Sequence, residues 1–74
     1  MDFRQATDIA TRVLTLREIG EALGVEWVRQ ARVNPEKRGY RPPPKGWEGK
    51  LAALVRRRAT ELNKLAENLE RGNV

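Results

Sequence analysis

Apolar positions recur along this chain with a helical period, and nowhere do they alternate as a half-buried strand would require. Phe3, Ala6, Ile9, Ala10 and Val13 form one stripe, which predicts a first helix from about Asp2 to Leu14, with Asp2 placed to cap it. Thr15-Leu16-Arg17-Glu18 reads as a capping box, and Leu14 and Ile19 stand where a hydrophobic staple would hold the turn. Leu16, Ile19 and Leu23 supply the inner face of this second helix, and Gly24 follows as a stop able to take positive φ. A third helix is expected from Val25 or Glu26 to about Val33, with Val25, Val28 and Ala31 inward and Glu26, Arg29, Gln30 and Val33 turned away. Asn34-Pro35 ends it, because the residue before proline is pushed out of the helical region.

Residues 34–46 read as a connector whose proline triplet, Pro42–Pro44, makes a stiff strap flanked by Tyr40 and Trp47. A fourth helix is predicted over residues 47–71, with Leu51, Val55, Leu62, Leu65 and Leu69 along a seam that Arg58 interrupts. Leu54, Ala59 and Ala66 broaden that seam. About 25 residues at 1.5 Å each make it nearly 37 Å long, longer than a three-helix body is wide. The expected fold is therefore all-α and a single domain: a three-helix core over 1–33, a strap over 34–46 and a long C-terminal helix over 47–71.

Charge changes this picture at one place. Residues 1–28 carry three basic and five acidic side chains, whereas residues 29–45 carry six basic and one acidic, Glu36. Residues 46–74 carry six and four, so the overall +5 is concentrated from the third helix through the strap. A basic stripe of that kind suits a polyanion, because neutralising phosphates releases condensed counterions.

Composition narrows the chemistry. There is no cysteine, histidine or serine among the 74 residues. Disulfides, thiolate or imidazole metal ligation and the usual nucleophile–base pairs are therefore unavailable. The carboxylates sit among basic residues at helix-surface spacings, as Glu61 does with Lys64. No catalytic residue, metal site or cofactor is expected. No apolar run approaches the roughly 18 residues of a membrane span, the N-terminus has no signal-peptide pattern, and a reducing, cytoplasmic setting is expected.

A capped helix, a glycine-centred turn and a short helix with a polar face make a helix-turn-helix. Thr15-Leu-Arg-Glu-Ile-Gly-Glu-Ala-Leu-Gly-Val25 resembles the first helix and turn of small bacterial and phage helix-turn-helix regulators, which read as a capped Leu-x-x-Ile-Ala-x-x-Leu-Gly-Val run. Leu16, Ile19, Leu23, Gly24 and Val25 match, and Gly20 stands in place of alanine, a change expected to be minor. The stretch after Val25 is about two residues short of the family's spacing. The likeness runs over Thr15–Arg32, a quarter of the chain.

The resemblance implies a sequence-specific duplex-DNA binder, a repressor acting as a homodimer, with the third helix in the major groove. Arg29 would then suit guanine, Gln30 adenine and Glu26 the cytosine amino group. Arg17, Arg32, Lys37, Arg38, Arg41 and Lys45 would meet phosphates. Trp27 and Trp47 are expected to pack, and Arg56, Arg57 and Arg58 to lie mostly on solvated surface. Independently of the resemblance, the seam residues Val55, Leu62, Leu65 and Leu69 lie too far along the fourth helix for a short body to cover, and are expected to form the dimer interface. Otherwise this helix folds back along helices one and two. The alternative is a protein-interaction module, such as an antitoxin or a phage accessory factor acting on RNA polymerase. Non-specific nucleoid or RNA binding finds little aromatic surface for stacking.

Overall fold

The computed structural model describes residues 1–72, and among them every regular element is a helix: α1 (Phe3–Ala10), α2 (Leu16–Leu23), α3 (Val28–Ala31) and α4 (Trp47–Gly72). The all-helical class and the long final helix are as the periodicity predicts. The first and third helices are shorter than expected.

Asp2 caps α1 and shares a reciprocal capping box with Gln5, each side chain accepting from the other residue's backbone amide at 2.8 and 3.0 Å. The helix closes at Ala10, four residues early, and Thr11–Leu14 follow as tight hydrogen-bonded turns that bring Leu14 under the core. Its buried face is Phe3, Thr7 and Ala10, while Ile9 and Val13 are exposed. The expected stripe is thus rotated. Thr7 is fully buried because its hydroxyl donates to the Phe3 carbonyl at 2.8 Å, which leaves only a methyl group for the core.

The capping box of α2 forms as its sequence dictates: the Thr15 hydroxyl accepts from the Glu18 amide, and the Glu18 carboxylate accepts from the Thr15 amide, both at 3.1 Å. Gly24 ends the helix at φ +73°. The chain then turns sharply, with the Val25 amide donating to the Gly20 carbonyl at 3.0 Å. A Cβ on Gly20 would lie 2.9 Å from the Val25 carbonyl oxygen. Alanine is therefore not a neutral alternative at this position.

Val25, Glu26 and Trp27 belong to the turn, so α3 begins at Val28 instead of Val25 or Glu26. Trp27 has a non-helical backbone and no side chain caps the helix. The buried pair Val28 and Ala31 holds this single turn on the core.

The strap is tied down at its middle. Arg41 donates its backbone amide to the Gln30 carbonyl at 3.3 Å, and the Trp27 indole N–H donates to the Pro42 carbonyl at 3.4 Å. Beyond it, α4 opens with Trp47 edge-on to Phe3, centroids 5.0 Å apart at 88°.

Leu51 and Leu54 complete a core of nine buried apolar residues shared with α1, α2 and α3. Arg58 reaches back to Glu18 and also meets Glu61 at 3.3 Å, pinning α4 to the start of α2. Past Arg58 the helix leaves the body, which gives a molecule 56 × 21 × 18 Å. No helix in the described residues is long and apolar enough to cross a membrane.

Candidate nucleic-acid interface

The angle between α2 and α3 leaves an open groove of about 660 Å³. Its floor is Leu16, Gly20, Gly24, Val25 and Val28, and its rim carries Arg17, Glu21, Glu26, Arg29 and Gln30. The close approach at Gly20 sets this angle, since any side chain there would push the turn away from α2.

Burial of Val28 and Ala31 forces the two residues between them outward. Arg29 and Gln30 are exposed, line the groove together, and have side chains without a hydrogen bond or ion pair among the described residues. Glu26 is exposed on the preceding turn. The three sequence-predicted base-contact residues therefore share one rim. Arg17 stands on the opposite side, with 90% of its side chain exposed and only a loose 3.5 Å contact to Glu21. Such an exposed pair contributes little and yields readily to a better anion. Within the groove the charges balance, Arg17 and Arg29 against Glu21 and Glu26, so its excess positive charge comes from the strap.

The remaining predicted cations divide into two sets. Arg32 lies at the end of α3, pairs with Asp8 of α1, and has a buried Nε without a partner. It fastens α3 to α1 and is not displayed to solvent like its neighbours. Arg41 stacks on Trp27 with its guanidinium carbon 3.9 Å from the ring centroid. With the two strap hydrogen bonds, this stack holds residues 41–42 against α3. Lys37, Arg38 and Lys45 are exposed and make no ion pair among the described residues.

Glu18 has its carboxyl held below the usual carboxylate range, chiefly by the Thr15 amide and further by the Arg58 guanidinium. This contact joins the groove-forming helix to α4. The spacing of Glu18 and Arg58, like that of Asp8 and Arg32, left no local signal in the sequence. Arg58, read there as an interruption of the seam, is instead the residue that docks it.

On α4 the predicted interface residues Val55, Leu62, Leu65 and Leu69 are 42%, 46%, 52% and 60% exposed. They continue, beyond the body, the face that buries Leu51 and Leu54. Among the described residues, no group of three or more carboxylates, histidines or cysteines is placed to hold a metal ion. Comparisons with protein families, with curated proteins and with solved structures give no significant match to this chain.

Proposed function

We propose that this chain is a helix-turn-helix regulator that binds duplex DNA sequence-specifically and represses by occupying its site as a homodimer. The observation that carries the reading is the rim of the α2–α3 groove, where Arg29 and Gln30 stand outward and unengaged beside a tethered basic strap. In this reading α3 enters the major groove, Arg29 takes guanine O6 and N7, Gln30 takes adenine N6 and N7, and Glu26 accepts from cytosine N4. Arg17, Lys37, Arg38 and Lys45 neutralise phosphates, and Arg41 adds charge from its stack on Trp27. Arg32 acts indirectly by fixing α3.

Selection of bound duplexes from a random library tests this, followed by Arg29→Ala and Gln30→Ala on the selected site. Each substitution relaxes preference at a defined base pair by about 1–3 kcal/mol. Arg38→Ala weakens all sequences by a similar factor. Identical behaviour of the two groups contradicts the reading.

One observation favours a second reading, a protein-interaction module of the antitoxin or polymerase-binding kind: the exposed leucines of α4. A chain that binds no duplex at low salt, yet needs those leucines for its activity, belongs there.

A further inference from the structure

The stripe on α4 is half covered. Leu51 and Leu54 are buried against the body, while Leu62, Leu65 and Leu69, on the same face, meet solvent. Three leucines spaced three and four apart are a seam for another helix. The direction in which a second helix would run is decided by charge.

The segment from Lys50 to Arg58 carries four cations and no anion, whereas residues 61–71 carry three glutamates against two cations. In a parallel pair, Arg58 would face a second Arg58 within the seam and the two basic segments would lie side by side. In an antiparallel pair overlapping at the leucines, the two Arg58 side chains are separated, each opposite Leu69, and Arg57 of each copy comes level with Glu70 of the other.

We propose that α4 pairs with α4 of a second copy in antiparallel orientation, through Leu62, Leu65 and Leu69. Leu62 of one copy packs on Leu65 of the other, and Leu69 covers the aliphatic stem of Arg58. Arg57 comes level with Glu70 of the second copy. Sliding the pair together by a heptad would set Leu69 opposite Leu51, which the body already buries. Sliding it apart by one turn would set Leu62 opposite Leu69 but bring Glu61 of each copy level with Glu70 of the other.

This register fixes where the two bodies sit. The two Leu51–Leu54 docking segments lie about 33 Å apart along the helix axis, at 1.5 Å per residue. One turn of duplex separates half-sites by about 34–36 Å. The two bodies are thus held about one duplex turn apart, the separation that half-sites on one face of the duplex require. The pairing itself rests on α4 alone, and only the half-site spacing rests on the DNA reading.

The test is made without DNA. Sedimentation of the full chain gives a dimer at tens of micromolar, and Leu62→Glu/Leu69→Glu gives a monomer with unchanged helicity, since neither leucine is in the core. A native monomer, or a double variant that still dimerises, overturns the proposal. Orientation is read independently from a spin label at Lys50→Cys, because the chain has no other cysteine. Antiparallel pairing puts the two labelled positions about 40 Å apart along the axis. Parallel pairing puts them about 10 Å apart, the interaxial distance. The short distance overturns the proposal whatever the chain binds. With the long distance established, selected operators whose half-sites are not about one turn apart would count against the DNA reading and leave the pairing standing.

Discussion

Gly20→Ala sets two known effects against each other, and the structure decides the sign. In an unconstrained helix interior alanine is favoured over glycine by about 1 kcal/mol. At Gly20 the added Cβ would stand 2.9 Å from the Val25 carbonyl oxygen and 3.4 Å from a Val28 methyl. The first of these is backbone and cannot rotate away. Relief requires the turn to move off α2, which stretches the Val25-to-Gly20 hydrogen bond and loosens Val28 in the core. Overpacking of this kind costs up to about 3 kcal/mol against a propensity gain of about 1, so the net loss is up to about 2 kcal/mol. For a domain of this size that lowers Tm by up to about 15 °C.

Gly49 supplies the control: it lies in α4, has an ordinary φ, and a Cβ there meets nothing within 4 Å. Gly49→Ala therefore raises stability by about 0.5–1 kcal/mol. Thermal melts followed by far-UV circular dichroism, at one fixed concentration because assembly shifts Tm, read both variants. If Gly20→Ala raises Tm as Gly49→Ala does, the turn is not packed as described and the groove angle has no such origin. If it lowers Tm, duplex affinity falls with it, because Arg29 and Gln30 move with the turn.

Other consequences can be checked at the same bench. Glu18 is held ionised by the Thr15 amide and by Arg58, so its folded pKa is depressed. The stability it contributes is present above the ordinary carboxylate pKa and is lost as pH falls through the folded value. Urea titrations carried into acid should show native protein losing more stability than Glu18→Gln, and equal losses would contradict the coupling. Arg41→Ala removes the stack on Trp27 but keeps both hydrogen bonds that tie the strap, and should cost about 0.5–1 kcal/mol in denaturant melts. Arg38→Ala, exposed and unpaired, should cost less, and equal costs would deny the stack a role.

What could be read from the sequence was what local chemistry encodes. The Thr15–Glu18 box, the Gly24 stop and the outward placement of Arg29 and Gln30 depend on neighbours within a few residues, and all appear in the structure. Errors arose where a residue's environment is set from afar. Thr7 looks polar, yet a backbone acceptor one turn away makes it core, and that rotates the buried face of α1 away from Ile9 and Val13. Val25 keeps the spacing of an inward helical residue, but Gly20 draws it into the turn, so α3 shrinks to one turn. The Arg32–Asp8 and Arg58–Glu18 pairs join residues 24 and 40 positions apart, which no local pattern can announce. They changed the reading most, since Arg32, expected at a phosphate, and Arg58, expected on solvated surface, are both part of the scaffold.

Duplex binding by the α2–α3 face and its strap is tested most directly by affinity for a selected duplex measured across salt concentrations. With Arg32 engaged by Asp8, four cations remain to neutralise phosphates: Arg17, Lys37, Arg38 and Lys45. At about −0.9 per contact, log affinity should fall against log salt with a slope of about −3.6 per copy. Arg38→Ala should reduce that slope by about one contact and leave base preference intact, whereas Arg29→Ala should shift base preference at one position. A flat salt response, or no duplex binding at low salt, would contradict the account.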